Sequence, residues 1–287
     1  MIYLADPEQF NADQLAFWNG PGGHTWVARQ KHTDITLAPV SEALLALAAP
    51  RIGERVLDIG CGCGASTLEI ARAVGPAGRV AAVDISAPML AEGRARAEAA
   101  GIANVDWLQT DAATSALDEF DLLASNFGLM FFGDPVGAFA HVRRAASPDA
   151  RMAFVCWRPL AENPWMGVPM HAASGHLPPR PKPDPQAPGM FAFADPLRIS
   201  QVLTAAGWAP PQLDKLDLDL DIAAGRGLEE AVVQSTQIGA VSSWLRGQPA
   251  DVVAAAISSI RKALAAHLDG ASVRLPGAMW LVSSTPA

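Results

Sequence analysis

Three aspartates occupy positions where a polar ligand could reach them, in or just after short apolar runs. Asp58 lies inside the first run, Asp84 ends the second, and Asp111 follows the third by two residues. A carboxylate at a strand end can accept hydrogen bonds from ligand hydroxyl or amino groups, each worth about 1.5–3 kcal/mol. The three positions therefore predict a binding site for a ligand rich in hydrogen-bond donors.

A glycine-rich turn, Gly60-Cys61-Gly62-Cys63-Gly64, directly follows the first apolar run. Because glycine has no Cβ, such a turn can bend sharply and bring the backbone close to a ligand. A segment with helical apolar spacing comes next. Strand, glycine turn and helix together predict the opening of a nucleotide-binding α/β unit, with the ligand above the carboxyl end of the strand.

Two ligand classes suit these residues. The turn satisfies the dinucleotide fingerprint with Ala65 as its last member, and Asp84 can accept from both hydroxyls of a ribose. Asp58, however, would repel a pyrophosphate and attract the ammonium of an amino-acid moiety. Asp111 can accept from an adenine amino group. These carboxylates favour S-adenosylmethionine as the ligand, with an NAD(P)-dependent oxidoreductase as the alternative.

At these residues the chain resembles the class I S-adenosylmethionine-dependent methyltransferases, most closely the UbiE-like bacterial methyltransferase-domain group. The similar segments are residues 17–20, 26–27, 56–64, 83–86 with Met89, 125–135, 154–157, 163–165, 188–196 and 280–282. The resemblance implies a Rossmann-like, doubly wound α/β sheet of about seven strands and an enzyme that transfers a methyl group. One departure is Asn126, which stands where the family is expected to have an arginine before Phe-Gly.

The predicted cofactor-binding residues come from these motifs and from the aromatic residues of the leader, which is the segment of residues 2–26. They are Trp18, Trp26, Asp58, Gly60, Cys61, Gly62, Gly64, Asp84, Ile85, Met89, Asp111, Ala112, Asn126 and Phe127. The leader aromatics could instead only pack a helix onto the domain.

Four segments organise the chain. We expect an N-terminal helical lid at residues 1–50, a cofactor-binding core at 51–158, a Pro-rich cap at 159–195, and the rest of the core with a helical insertion at 196–287. Strands are predicted at 79–84, 105–109, 120–125, 151–157, 212–222 and 278–283. Helices are predicted at 33–49, 67–73, 88–100, 135–146, 197–206, 229–245 and 249–268.

The cap segment combines many prolines with large apolar side chains. Its prolines at 159, 164, 169, 178, 179, 181, 183, 185 and 188 argue against regular helix through its middle. Its apolar residues are Trp165, Met166, Met170, Met190, Phe191 and Phe193. Because a disordered spacer rarely carries so much apolar surface, we expect a mobile cap over an acceptor pocket.

Methyl transfer from a sulfonium is an in-line displacement, so positioning and exclusion of water matter most and a base is optional. His24 beside the leader aromatics and His171 in the cap are the candidate bases, although either could be a surface residue. Asn126, in the loop after the fourth strand, could orient the acceptor. These three residues are the catalytic candidates. A protein that binds the cofactor without transferring the methyl group would keep the same motifs.

Composition and charge limit the classes of partner that the protein could bind. A net charge of −8 with scattered basic residues argues against nucleic acid and favours a small-molecule acceptor. No apolar stretch approaches the roughly 18 residues of a membrane span, and the first residues do not resemble a signal peptide, so we expect a cytoplasmic protein. Cys61 and Cys63 lack a second ligand pair, and Asp217, Asp219 and Asp221 suit an exposed strand face, so no metal is predicted.

Overall fold

The computed structural model describes residues 7–180, 184 and 187–287, with side chains from residue 10 onward. Its strands within these ranges are β1 (Arg55–Ile59), β2 (Arg79–Asp84), β3 (Val105–Gln109), β4 (Phe120–Asn126), β5 (Ala146–Trp157), β6 (Gln212–Asp221), β7 (Leu268–Asp269) and β8 (Ser272–Ser284). Seven of them form the main sheet in the order β3-β2-β1-β4-β5-β8-β6, and the two-residue β7 pairs with one end of β8. The predicted doubly wound sheet of about seven strands is confirmed.

Parallel pairing brings the predicted polar residues to one edge of the sheet. Strands β1 to β5 are parallel, and β8 runs antiparallel to both β5 and β6. The central strands are apolar and buried, as strands covered on both faces must be. Since parallel strands end on the same side, the glycine turn, Asp84 and Asn126 share the carboxyl edge of the sheet.

Ten α-helices surround this sheet within the described residues. They are α1 (Pro7–Asn19), α2 (Pro21–Ala48), α3 (Ala65–Val74), α4 (Ala87–Ala99), α5 (Pro135–Arg144), α6 (Pro164–Ser174), α7 (Pro196–Ala205), α8 (Leu228–Gln237), α9 (Ala240–Leu245) and α10 (Ala250–Ala265). Helices α4, α5 and α7 start with proline in their first turn, after a Ser or Asp that caps the helix with its side-chain oxygen. Helix α2 crosses much of the domain and contacts α3, α4, β4 and β5.

The single helix predicted at residues 229–245 is wrong, because the structure divides it into α8 and α9. Gly239, between the two helices, has a φ of +83°, which lies outside the right-handed helical region. The consequence is functional, because the resulting bend faces the cavity described below.

The first part of the cap segment is helical despite its prolines, whereas the described residues 175–180 are not helical. Pro164 occupies the first turn of α6, where its missing N–H is not needed, and Pro169 lies inside the helix. Met166, Pro169 and Ala173 are buried, and α6 packs against α10 and β8. This packing offsets the hydrogen bond lost at Pro169. The prolines at 181, 183 and 185 lie outside the described residues.

Within the described ranges, no helix is long and apolar enough to cross a membrane.

Candidate cofactor and acceptor cavity

A cavity of about 1030 Å³ opens at the carboxyl edge of the sheet. Its walls come from α1, α2, the ends of the parallel strands, the start of α6, and the bend between α8 and α9. Twelve of the fourteen predicted cofactor-binding residues line it, all except Asp58 and Gly64. Of the catalytic candidates, Asn126 lines the cavity, whereas His24 and His171 do not.

The glycine turn is held against the loop that follows β4. Gly60 has a φ of +67°, and a Cβ at this position would lie 2.6 Å from the Cα of Gly128. Ser125 ties the two loops together, because its Oγ donates to the carbonyl of Ile59 at 2.7 Å and accepts from the N–H of Gly128 at 3.1 Å. Backbone therefore meets backbone at this point, which explains the need for glycine.

Gly64 allows the side chain of Trp107 to pack closely against the backbone of the turn. A Cβ on Gly64 would lie 2.5 Å from the indole ring of Trp107, and one on Gly93 of α4 would lie 2.4 Å from the same ring. Trp107 therefore fills the space that both glycines leave, and Gly64 does not line the cavity. The predicted ligand contact of Gly64 is not favoured by this placement.

Asp58 lies beneath the turn and is fully buried. Its Oδ2 accepts from Thr67 Oγ1 at 2.6 Å and from Ser66 Oγ at 3.3 Å, so it anchors the start of α3. Its Oδ1 is buried without a hydrogen-bond partner among the described residues. Burial raises the pKa of this carboxyl to about 6, because desolvation outweighs the two hydroxyl bonds. Asp58 thus supports the cavity floor from below.

Asp84 both shapes the turn and faces the cavity. Its Oδ2 accepts from the N–H of Gly62 at 2.8 Å, and its Oδ1 accepts from the N–H of Ser86 at 2.9 Å. Burial raises the pKa of Asp84 despite these bonds. Each carboxylate oxygen has a further lone pair, so a ribose can still be bound. Asp111 lines the cavity nearby, with its Oδ1 accepting from the N–H of Ala113 at 2.8 Å.

The carboxyl end of α1 is fastened to the loop that carries Asp84. The Nδ2 of Asn19 donates to the carbonyl of Ile85 at 2.9 Å, and its Oδ1 accepts from the N–H of Ala87 at 2.9 Å. Ser86 Oγ donates to the carbonyl of Trp18 at 2.6 Å. These bonds join the end of α1 to residues 85–87, which directly follow Asp84, the residue predicted to bind the ribose.

An aromatic cluster covers the cavity from the lid. Trp18 makes edge contacts with Phe17, Trp26 and Phe131, at centroid distances of 5.1, 6.0 and 5.9 Å. All four rings line the cavity. The leader aromatics thus pack together and also face the space available to a ligand.

One ion pair on the cavity wall has no signal in the sequence. Arg96 of α4 donates to Asp34 of α2 at 2.7 Å and also to the carbonyl of Cys63 in the glycine turn. Asp34 lines the cavity. The two side chains lie 62 positions apart in the chain, so only the path of α2 across α4 brings them together.

The opposite wall is aromatic and belongs to β4, β5 and the cap. Phe127 has a φ of +66° and stacks on Trp157 with ring centroids 4.3 Å apart and planes at 10°. Trp157 in turn packs against Trp165 at 4.8 Å. Beside them, the Nδ2 of Asn126 donates to Ser41 Oγ at 2.9 Å, and the Oδ1 of Asn126 is buried without a partner among the described residues.

The cap segment contributes part of the wall and part of the core. Trp165, Met166, Met190 and Phe191 line the cavity, together with Pro169. Met170 packs at the edge of the core, and Phe193 is fully buried against Phe139 and Phe154. Phe193 is therefore a core residue, not part of a cap.

Neither of the two histidines considered as bases lines the cavity. His24 is exposed on α2, and His171 is exposed in a separate shallow groove between α6 and α10. His141, which was not one of the candidate bases, lines the main cavity. Its Nε2 lies 2.7 Å from the carbonyl of Ser115 and its Nδ1 lies 2.6 Å from the guanidinium of Arg144, so both ring nitrogens are engaged.

The aspartates of β6 are used structurally. Asp217 forms an ion pair with the buried Arg158, and Asp221 accepts bonds that hold the turn after β6. Asp219 is exposed. In the part of the chain that is described, no cluster of three or more His, Cys, Asp or Glu side chains could hold a metal ion.

The cavity suits a nucleoside that carries an amino-acid tail. A carboxylate lies at the tip of β2, a second follows β3, and the glycine turn allows close backbone approach between them and β4. Asp58 supports the glycine turn from beneath, and Asn126 lies on the wall at the end of β4. This arrangement defines a Rossmann-like nucleoside-binding protein of the class I type.

Comparisons with known proteins agree with this class. Residues 56–149 match the family described as methyltransferase domain. The aklanonic acid methyltransferase DauC of Streptomyces sp. (strain C5) is 36% identical over 118 residues, which cover 40% of this chain and 54% of that protein. The nocamycin O-methyltransferase of Saccharothrix syringae is 29% identical over 245 residues, or 82% of this chain and 86% of that one.

A solved structure supports the fold. The YcgJ protein of Bacillus subtilis superposes with a TM-score of 0.55 at 19% identity, covering 86% of this chain and 97% of that one. The matched domain and the curated relatives support a class I S-adenosylmethionine-dependent methyltransferase with S-adenosylmethionine as its cofactor. The predicted family and cofactor are confirmed.

Proposed function

We propose that the protein transfers the methyl group of S-adenosylmethionine to a small molecule bound in the same cavity. The observation that carries the proposal is the continuity of the cavity, which runs from the glycine turn past Asn126 to the aromatic wall and the α8–α9 bend. Its volume of about 1030 Å³ lies at the upper end of the usual range for ligand pockets, roughly 300–1,000 Å³. The names of both curated relatives also support a small-molecule acceptor.

The residues that line the cavity would bind the cofactor and orient it toward the acceptor. Asp84 would hold the ribose, Asp111 the adenine amino group, and the glycine turn the backbone side of the amino-acid tail. The lid aromatics Trp18 and Trp26 would cover the cofactor and exclude water. When bound, the cofactor supplies a methyl group on a positive sulfur: an acceptor lone pair forms the new bond to carbon, and the carbon–sulfur electron pair returns to sulfur as a neutral thioether leaves.

Proton removal does not depend on a free imidazole at the cavity. His141 is the one described histidine on the wall, and both of its nitrogens are hydrogen-bonded. We propose that positioning and water exclusion carry most of the rate enhancement, and that the proton of the acceptor passes to solvent. His24 and His171 are not proposed as bases, since neither lines the cavity.

Titration calorimetry with S-adenosylmethionine, S-adenosylhomocysteine, NAD and NADP tests the cofactor assignment. We expect low-micromolar or tighter affinity for the two sulfur nucleosides and no measurable heat with the nicotinamide dinucleotides. Asp84→Ala should weaken S-adenosylhomocysteine binding by about 30-fold to 1000-fold through the loss of two charge-assisted bonds. Tight NAD binding without binding of either sulfur nucleoside would overturn the proposal.

We further propose that the protein acts in the cytoplasm and not on nucleic acid. The net charge of −8 supports this, because tracking a phosphate backbone requires clustered Lys and Arg side chains. The three buried free cysteines also suit a reducing compartment.

A further inference from the structure

We infer that Asp34 of α2 is the residue that binds the ammonium group of the cofactor's amino-acid tail. The inference rests on the proposed function, because it assigns one end of the bound S-adenosylmethionine. The glycine-turn motif suggests Asp58 for this contact, whereas the geometry of the cavity favours a carboxylate that lies outside the motif.

Asp58 is not within reach of a ligand in the cavity. It lies beneath the glycine turn, is fully buried and does not line the cavity. Its Oδ2 already accepts from the hydroxyl groups of Ser66 and Thr67. An ammonium group that leaves water needs direct contact with an anion or with other acceptors. A carboxylate on the cavity wall is therefore better placed to provide this contact.

Asp34 is such a carboxylate, and it is both accessible and held in place. Its side chain is 28% exposed and lines the cavity. Its Oδ2 accepts from the guanidinium of Arg96 at 2.7 Å and from the side-chain amide of Gln30. Because both bonds use Oδ2, the lone pairs of Oδ1 can still accept from a ligand. A side chain fixed in this way also loses little conformational entropy when the ligand binds.

The bonds of Arg96 place Asp34 at the amino-acid end of the cofactor site. The guanidinium that contacts Asp34 also donates to the carbonyl of Cys63 in the glycine turn. Asp34 and the turn thus lie on two sides of a single guanidinium group. Asp84 and Asp111, proposed to bind the ribose and the adenine, follow along β2 and β3. The three carboxylates would meet three successive parts of one extended ligand.

The charges around Asp34 suit an amino-acid tail, which carries a cation beside an anion. Arg96 neutralises part of the charge of Asp34, so the pair repels the carboxylate of the tail less than an isolated aspartate would. The basic residues that line the cavity within the described ranges belong to α5 or follow α9: His141, Arg144 and Arg246. Asp34 is therefore the charged side chain that the wall of α2 offers to the ligand in the described part of the chain.

Four adenosine thioethers separate the two charges of the tail. S-adenosylhomocysteine carries both charges, its deaminated analogue ends in a butanoate, its decarboxylated analogue ends in a propylammonium, and 5′-methylthioadenosine carries neither charge. In calorimetric titrations at about pH 7, the wild-type protein should bind S-adenosylhomocysteine about 10-fold to 100-fold more tightly than the deaminated analogue, because the analogue lacks one charge-assisted hydrogen bond.

Variants then assign this preference to Asp34. Asp34→Asn keeps the size of the side chain and an oxygen that can accept from Arg96. It should weaken the binding of S-adenosylhomocysteine and of the decarboxylated analogue by about 10-fold or more, without weakening that of the other two thioethers. Asp34→Ser also removes the charge and should give the same pattern.

Asp134→Asn is the matched control for the change in net charge. Asp134 is exposed on another part of the same cavity, and asparagine can also cap α5. This variant should leave the affinities for all four thioethers within about 2-fold of wild type. Thermal unfolding checks that each variant is folded.

The outcomes are separable. Equal wild-type affinities for S-adenosylhomocysteine and the deaminated analogue, or an unchanged preference in the folded Asp34 variants, would overturn this inference and leave the proposed function standing. Equal losses for S-adenosylhomocysteine and 5′-methylthioadenosine in Asp34→Asn would also overturn it, since Asp34 would then shape the cavity as a whole. Failure of the wild-type protein to bind S-adenosylhomocysteine would overturn the proposed function itself.

Discussion

The carboxyl group of Asp58 is buried beneath the glycine turn, with one oxygen bonded to Thr67 and the other unpartnered among the described residues. Burying an ionised carboxylate costs free energy because it removes the charge from water. This cost raises the pKa of Asp58 from 3.8 to about 6. The neutral form therefore persists to a higher pH in the folded state than in the unfolded state. A cationic ligand group near the turn would reverse this preference by stabilising the charge.

This burial predicts a pH effect on the stability of the ligand-free protein. Because the folded pKa exceeds the unfolded one, the stabilisation by protonated Asp58 is complete below about pH 3.8 and is lost as the pH rises through about 6. Between pH 5 and pH 7 this group alone should lower the free energy of unfolding by about 1 kcal/mol. Asp58→Asn cannot ionise and should lack that decrease.

Urea unfolding of both proteins at several pH values measures the difference. The stability of Asp58→Asn relative to wild type should rise by about 1 kcal/mol from pH 5 to pH 7. Parallel pH profiles for the two proteins would show that Asp58 keeps an ordinary pKa in the folded state.

Gly60 offers a second prediction, because its need for glycine has two causes. Gly60→Ala would place a Cβ in left-handed backbone and 2.6 Å from the Cα of Gly128. Gly101 has nearly the same φ, +68°, with nothing within 4 Å of a Cβ. Gly101→Ala should therefore cost about 1–2 kcal/mol of stability from backbone strain, and Gly60→Ala should cost at least about 2 kcal/mol more.

Denaturant unfolding compares the two alanine variants, and calorimetry compares their affinities for S-adenosylhomocysteine. Only Gly60→Ala should lose affinity, by about 10-fold or more, because the shift of the turn reaches the cavity. Equal losses of stability in both variants would mean that the contact with Gly128 relaxes freely.

At the residue scale, the predictable residues were those with a local pattern. The glycine turn, Asp84 and Asn126 follow apolar runs, and parallel strands bring such ends together. Ser41 and Asp34 carry no such signal, since each reaches the cavity only through the path of α2. The burial of Asp58 likewise depends on the position of α3 above it, which its place in the motif does not reveal.

At the scale of elements, Asn163 joins the cap to the sheet. It is fully buried, and its Nδ2 donates to the carbonyls of Arg158, Pro159 and Ala278. Its Oδ1 accepts from the N–H of Ala278 at 2.9 Å and from the indole of Trp165 at 3.1 Å. The side chain of Asn163 thus positions both the start of α6 and Trp165, which belongs to the aromatic wall of the cavity.

Asn163→Ala should destabilise the protein by about 3 kcal/mol or more, because several buried backbone groups lose their partners together. Under conditions where the variant stays folded, its affinity for S-adenosylhomocysteine should be kept. Asn11→Ala truncates an exposed asparagine and should change stability by less than about 0.5 kcal/mol. If both variants unfold alike, the bonds of Asn163 carry no net stability.

Element boundaries were predictable where the apolar pattern was uninterrupted. Strands β2 and β3 have the predicted ends, residues 79–84 and 105–109. The bend at Gly239 and the helix through Pro169 were not predictable, because tertiary packing overrides local propensity at both positions. The bend nevertheless determines which part of α9 faces the cavity.

At the scale of the whole molecule, the cavity is closed by elements far apart in the chain. Hydrogen exchange in the presence of S-adenosylhomocysteine should slow at residues 164–170, 188–191 and 234–246, relative to the free protein. These segments border the cavity, and closure would exclude water. The backbone around Phe193 should be protected in both states, since that side chain belongs to the core.

Helix α7 (Pro196–Ala205) does not line the cavity and is the internal reference for this exchange experiment. Unchanged exchange at 164–170 and 188–191 with S-adenosylhomocysteine present would make the cap a fixed wall instead of a moving one. Changes confined to 234–246 would assign closure to the α8–α9 bend alone.

The distribution of indole N–H partners has a spectroscopic consequence. Trp18, Trp165, Trp208, Trp244 and Trp280 have fixed hydrogen-bond partners, whereas Trp26 and Trp157 line the cavity and have none among the described residues. Indole emission responds to polarity and hydrogen bonding around the ring. The intrinsic fluorescence of the unlabelled protein should therefore report ligand entry on both sides of the cavity, through Trp26 beside the lid and Trp157 on the aromatic wall.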